Sequence, residues 1–324
     1  MTTGIRFTTH LAQDRAACAS GSAPVLAALA AGAAALARSL ARDPDPSALD
    51  ALARRTFSDA LAAAPLAALA LPGAGMAPGL AGAPVAVALT PLDAADDGAA
   101  GLPAGTLFSL RPVLGRDPAQ AVLAPGREQC AAGLVTYGAR TVLILTHGGP
   151  AWRFVLDPEA GEFRLAGRAA IPPEGRHCTL DAAAARHWAP PVRAFVEACR
   201  AGADGPRGHD VTMDWCASLA AGAGRVLVRG GLHLRPAEPR RAAAGTVSLV
   251  HAAAAVAGVV EAAGGRAGDG AGRRILDLAA GDLDARTPLA FGSPAEVARL
   301  EAFCGGEAAE GRFPLFAARG LLRA

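Results

Sequence analysis

Lysine and asparagine are absent from this 324-residue chain. All 31 basic residues are arginine. A site that needs a compact ammonium or the asparagine carboxamide must therefore be built another way, because a planar guanidinium does not replace an ammonium. An excess of one charge sign is lacking too. The 31 arginines face 29 acids for a formal net charge of +2, which gives no electrostatic case for nucleic acid or a membrane surface as partner. The six cysteines, Cys18, Cys130, Cys178, Cys199, Cys216 and Cys304, form no C-x-x-C and no His/Cys cluster, so zinc-site spacing is missing. Reduced thiols in a cytoplasmic protein are the expectation. The N-terminus shows no charged segment leading into an apolar signal core. The alanine-rich runs near 23–37 and 249–260 read as too short or too interrupted to span a bilayer.

What is present is apolar: 52% of residues are hydrophobic, and alanine and glycine are heavily used. That content and length suit a globular protein with a sizeable core in one large or two ordinary domains. Residues 23–42 carry Leu26, Leu29, Ala33, Leu36 and Leu40 at helical spacing, and Pro44 and Pro46 stop that helix. Ser47 is placed to cap a second helix with Leu49, Leu52, Phe57 and Leu61 on its apolar face. Residues 66–83 carry no charge and read as a broken strand and a loose loop. From Leu107 onward the pattern turns to strands: 107–110, 133–138, 141–146, and a hairpin of 151–156 with 162–165 around Asp157-Pro158-Glu159-Ala160-Gly161. Short hairpin links predict antiparallel pairing.

After Pro172-Pro173 the pattern predicts helices at 190–203, 213–223 and 247–263, and strands at 232–234, 275–278 and 289–291. Ser293-Pro294-Ala295-Glu296 reads as a capping box opening the last helix. A domain boundary is placed near residue 170, giving units of 1–170 and 171–324.

The organising stretch is Pro84-Val85-Ala86-Val87-Ala88-Leu89-Thr90, followed by Pro91-Leu92-Asp93-Ala94-Ala95-Asp96-Asp97-Gly98. An apolar run with β-branched residues at alternate places is a buried strand. It ends at a turn rich in carboxylates, which is either a site for a hard cation or an acidic surface turn.

This stretch resembles the D-P-L-D-G-S-S-N motif of class I fructose-1,6-bisphosphatases. The likeness continues through Gly138-Ala139-Arg140-Thr141-Val142-Leu143, Asp157–Phe163, Arg186-His187-Trp188 and Gly205-Pro206-Arg207-Gly208. It runs on through Gly230–Leu234, Glu261–Gly265, Ile275-Leu276-Asp277, Arg286-Thr287-Pro288 and Gly292–Val297. The resemblance implies a two-domain layered α/β fold with mixed and antiparallel sheets between helices. It also implies a homotetramer, a sugar bisphosphate as substrate, magnesium as the cofactor of an active member, and a place in gluconeogenesis.

Hydrolysis of a phosphate ester in this family's way needs several hard cations held by carboxylates. Carried over position by position, the family's Glu pair falls near Leu71-Pro72-Gly73, and the first Asp of its motif is Thr90. The second Asp is retained as Asp93, with Leu92 beside it supplying a carbonyl. The late-helix Glu is Ala252, following His251. In the phosphate pocket the family's Asn is Asp181 and its Arg, offered across a subunit interface, is Asp214. Its two Tyr residues are Trp215 and Arg235, and its Lys is Thr246. The expectation is a degenerate, catalytically impaired member with a structural or regulatory role, acting as a homo-oligomer or beside an active paralogue. The alternative is an active magnesium-dependent phosphatase with a rebuilt site, Asp96 and Asp97 joining Asp93 and Arg235, Arg240 and Arg241 holding phosphate.

Overall fold

The structure, a computed structural model, describes residues 4–305 apart from 15, 16, 18, 19, 43 and 44. Cys18 lies outside the described residues. Two sheets carry the architecture. The first has eight strands in the order β2-β1-β3-β4-β5-β6-β7-β8. They are β1 (Leu66–Leu71), β2 (Gly75–Pro78), β3 (Val85–Asp93), β4 (Ala104–Pro112), β5 (Ala131–Tyr137), β6 (Val142–Thr146), β7 (Trp152–Asp157) and β8 (Glu162–Arg168). β1 and β3 run parallel; the other neighbours are antiparallel.

The alternation in β3 sorts its side chains. Val85, Val87 and Leu89 enter one core with helices α1 (Phe7–Gln13), α2 (Ala23–Leu40) and α3 (Leu49–Leu61). Ala86 and Ala88 face the other way, against Val113, Val122 and Val250. Period-two burial on both faces is what a central strand requires. Helix α2 is long and apolar enough to cross a membrane by length and composition, but its Val25, Leu26, Leu29 and Leu36 are buried in this core. After β3 come the short helix α4 (Ala95–Ala99) and, beyond β4, α5 (Pro118–Leu123).

The second sheet has the order β10-β9-β11-β15-β13. Its strands are β9 (His177–Thr179), β10 (Thr212–Asp214), β11 (Leu232–Arg235), β13 (Arg266–Gly268) and β15 (Leu289–Gly292). Around it lie α6 (Pro190–Arg200), α7 (Leu219–Arg229), α8 (Ala254–Ala262) and α9 (Pro294–Cys304). A short pair, β12 (Val247–Ser248) and β14 (Arg286–Thr287), closes the molecule beside a π-helical turn at Leu249–Ala253.

Helix α7 sits very close to the first sheet. A Cβ on Gly105 would fall 2.3 Å from the Ala220 Cβ and 2.6 Å from the Val135 carbonyl oxygen. Only glycine permits that approach, and it brings the start of α7 over the Asp93 end of β3, which pairs with Gly105. On its other side α7 meets β11. A Cβ on Gly222 would lie 2.2 Å from His233 Nδ1, and that imidazole is fully buried and stacked on Phe291 with ring centroids 4.8 Å apart. Gly222→Ala is expected to destabilise the fold by about 1–3 kcal/mol through overpacking. That outweighs the roughly 0.5–1 kcal/mol an alanine gains in helix propensity. The urea midpoint should fall accordingly.

Several local expectations change. Residues 66–83 form a hairpin, because Gly73 and Gly75 take φ of +68° and +72° and turn β1 into β2. Asp45, not Ser47, does the capping: its carboxylate accepts from the Ser47 N–H and starts a 3-10 turn that leads into α3. The helix expected at 213–223 starts at Leu219, capped by Ser218, because Thr212–Asp214 pair with β9 instead. Residues 275–277 are a 3-10 turn rather than a strand. Ser293 does not complete a capping box; its hydroxyl donates to the Pro172 carbonyl and accepts from the Gly231 N–H.

Candidate functional site

The end of β3 is held by side chains rather than left open. The Thr90 hydroxyl donates to the His251 carbonyl at 2.9 Å, so β3 is tied directly to the π-helical turn. The Thr106 hydroxyl donates to the Pro91 carbonyl at 2.7 Å and lies 2.8 Å from the Tyr137 hydroxyl. Burial drives the Tyr137 phenol above its usual range, so it stays neutral. Leu92 is buried in the N-terminal core. Ala94 then takes a left-handed conformation with φ +59°, turning the chain into α4.

Asp93 is engaged with helix α7. Its Oδ2 accepts from the Ser218 hydroxyl at 2.9 Å and from the Ala220 N–H at 3.0 Å. A carboxylate at a helix N-terminus satisfies N–H groups that have no partner within the helix and complements the helix dipole. Burial nevertheless raises the Asp93 pKa; the hydrogen bonds and the charge of Arg235 oppose this only in part. Asp96 is exposed and Asp97 partly buried on α4.

Of the other positions carried over from the family, Leu71 to Gly73 are the hairpin turn, with the Ala74 N–H donating to the Leu71 carbonyl. Ala252 packs in an apolar core. His251 is 3% exposed, with Nδ1 unpartnered among the described residues. Burial lowers its pKa to about 4, with Arg54 adding to the shift and Asp284 opposing it.

Holding several divalent ions takes several convergent carboxylates. Among the described residues no three His, Cys, Asp or Glu side chains gather in such a way. With Asp93 turned to the start of α7 and Thr90 bonded to a carbonyl, these residues do not fit a multi-ion cluster.

The second part of the site is a cavity of about 410 Å³ in which Asp181, Trp215 and Arg235 come together. Trp188, Glu238, Arg241 and Arg286 also line it. Arg235 stacks on Trp215, its guanidinium carbon 4.1 Å from the ring centroid. Its Nη2 donates to the carbonyls of Cys216 at 3.0 Å and Ala217 at 2.5 Å. Asp181 caps a 3-10 turn by accepting from the Ala183 N–H at 3.0 Å.

Asp214 is not among the lining residues. Its carboxylate accepts from the Thr179 hydroxyl at 2.8 Å, lies 2.9 Å from His177 Nε2 and is paired with the Arg225 guanidinium. Burial pushes its pKa up, but these partners outweigh that and hold it below the usual carboxylate range. Arg225 thus balances the charge of Asp214 away from the cavity that Asp181 lines. Arg240 does not line the cavity, and Thr246 does. Sequence reasoning missed Glu238 and Arg286, which reach the cavity from a loop and a two-residue strand with no periodic signal. His147, just after β6, has Nδ1 3.1 Å from Asp14 Oδ1.

Residues 32–168 match the family described as "Fructose-1-6-bisphosphatase, N-terminal domain", and residues 171–305 match "Fructose-1-6-bisphosphatase, C-terminal domain". A fructose-1,6-bisphosphatase class 1 of Methylobacterium sp. (strain 4-46) is 50% identical over 331 residues, covering 99% of each chain. One from Methylobacterium radiotolerans is 44% identical over 225 residues, covering 68% of this chain and 64% of its own. The crystal structure of Leishmania major fructose-1,6-bisphosphatase in holo form superposes with a TM-score of 0.84 over 93% of this chain and 99% of its own, at 23% identity; that likeness carries the fold. With both domains matched and the class 1 relative aligned from end to end, the chain belongs to the class 1 fructose-1,6-bisphosphatase family.

Proposed function

We propose that this chain keeps the family's fold and a ligand-sized cavity but hydrolyses the family's ester poorly or not at all. The family reaction takes fructose 1,6-bisphosphate and water to fructose 6-phosphate and phosphate, and it is metal-dependent. The observation that carries the reading is the state of Asp93. Its carboxylate accepts from Ser218 and Ala220 at the start of α7. The positions that would supply its companions are Thr90, bonded to a carbonyl, and Ala252, packed in the core. A phosphate monoester is attacked by water at a useful rate only when its charge is neutralised, the water activated and the leaving oxygen stabilised. Nothing in this constellation supplies those functions.

The role that remains is structural or regulatory. The protein would act as a homo-oligomer or in co-assembly with an active relative, in the cytoplasm, beside the sugar-phosphate chemistry of gluconeogenesis. The experiment is direct. Pure protein with fructose 1,6-bisphosphate and millimolar magnesium is expected to release phosphate at the background rate, and calorimetric titration with magnesium is expected to show no saturable heat. Magnesium-dependent release that disappears in Asp93→Asn would overturn the reading and favour an active phosphatase with a site rebuilt around Asp93.

A further inference from the structure

We infer that the Asp181–Trp215–Glu238 cavity takes a neutral polyhydroxylated ligand, a sugar or polyol carrying no phosphate at this end. The inference rests on the preceding reading that this cavity is the retained ligand site.

Two buried polar atoms at the cavity lack a hydrogen-bond partner among the described residues. Glu238 is 7% exposed, and its Oε2 accepts no hydrogen bond from any described residue. The nearest charge, Arg241 Nη1, is 3.6 Å away, beyond hydrogen-bond distance. Trp188 is 4% exposed, and its indole N–H has no acceptor among the described residues. Both residues line the same cavity. A buried donor and a buried acceptor left unpaired are unfavourable. Hydroxyl groups suit both, since a hydroxyl donates to a carboxylate and accepts from an indole N–H.

The loop that presents Glu238 is fixed. The Arg241 and Ala242 N–H groups donate to the Glu238 carbonyl, and the Glu238 N–H donates to Ala242. Gly245, at φ +90°, sits against Thr287 so closely that a Cβ would lie 2.1 Å from its carbonyl carbon.

Charge selects against the alternatives. A phosphate at this place meets Asp181 and Glu238, while Arg235 is engaged with Trp215 and two carbonyls, Arg286 Nη1 donates to the Thr246 carbonyl, and Arg241, largely exposed, is drawn to Glu238 at 3.6 Å. A cationic ligand meets three guanidinium groups. A neutral polyol offers donors to the carboxylates and acceptors to the remaining guanidinium N–H groups without either repulsion. It also has apolar C–H faces for Trp215, which is 47% exposed.

The test titrates the full-length protein with fructose, sorbitol, fructose 6-phosphate and inorganic phosphate, read by tryptophan fluorescence and calorimetry. At least one of the two neutral polyols is expected to saturate the signal, with fructose 6-phosphate at least tenfold weaker. Glu238→Gln is expected to weaken polyol binding at least tenfold. Trp188→Phe, which keeps an aromatic ring but removes the N–H, is expected to weaken it severalfold, an independent check should Glu238→Gln fold poorly. The inference is overturned by tighter binding of fructose 6-phosphate or phosphate than of either polyol. It is equally overturned by no saturation with either polyol, or by folded variants with unchanged affinity. Phosphate release is read separately, so failure of the non-hydrolytic reading cannot be mistaken for failure of this one.

Discussion

Truncation of Glu296 to alanine is expected to destabilise the protein by about 3–5 kcal/mol, a large part of the roughly 5–15 kcal/mol that holds a typical domain folded. The Glu296 carboxylate lies in the first turn of α9. Its Oε2 accepts from Arg207 Nη2 at 2.7 Å and its Oε1 from Arg299 Nη1 at 2.6 Å. The side chains of Arg207 and Glu296 are only 3% and 5% exposed, so the discount that applies to a surface ion pair does not apply here. Arg207 Nε and Nη1 have no other partner among the described residues. Removing Glu296 therefore strands a buried guanidinium, which is worse than never having had the pair. It also frees the loop around Arg207 from α9. Replacing both residues together with apolar ones of similar size should destabilise far less than the sum of the single changes, because no charge is then stranded. Urea denaturation of the two single variants and the double variant measures this. Single losses below about 1 kcal/mol, or strict additivity, would contradict the account.

The parts of the fold legible in the sequence are those with local causes. The alternation of Val85, Val87 and Leu89 against Ala86 and Ala88 gave β3 both its strand identity and its two buried faces. The turn Asp157–Gly161 was readable because Asp157 accepts from the Glu159 and Ala160 N–H groups, a bond within three residues. The structure departs from local pattern where a distant partner decides. Ser293 looked like a helix cap, but its hydroxyl goes to Pro172 across the fold. Thr212–Asp214 are helix-compatible in isolation, and pairing with β9 claims them.

The site follows the same division. Asp93 was visible as the acid of a motif, but its partner, Ser218, is 125 residues away, and only the close approach at Gly105 brings α7 to it. The Thr90 bond to His251 spans 161 residues. Glu238 carries no motif at all; its meaning comes from burial without a partner.

Acid is expected to destabilise this protein well above the pH at which its carboxylates titrate. A histidine buried in neutral form binds a proton more readily when the chain is unfolded, so its penalty is absent above its ordinary pKa of 6.5 and grows as pH falls towards the native value. For His251, with a native pKa of about 4, that interval amounts to roughly 3 kcal/mol at about 1.4 kcal/mol per pH unit. His233, held well below its ordinary pKa by burial and by Arg235 and Arg225, adds a second proton over the same interval. His10, lowered by burial and by His147 against the pull of Asp14, adds part of a third.

Two acids work the other way. Asp93 and Glu301 have raised native pKa values, chiefly from burial, so the folded state takes up their protons first and the loss is softened towards the lower end of the range. Between pH 6.5 and about 5 the histidines therefore dominate. Unfolding free energy, measured by urea at closely spaced pH values, should fall across that window with a slope equivalent to about two protons. His251→Gln keeps the backbone carbonyl that Thr90 uses but cannot titrate, so it should remove about one of them. An unchanged slope in that variant would mean that His251 is not the group that acid strikes.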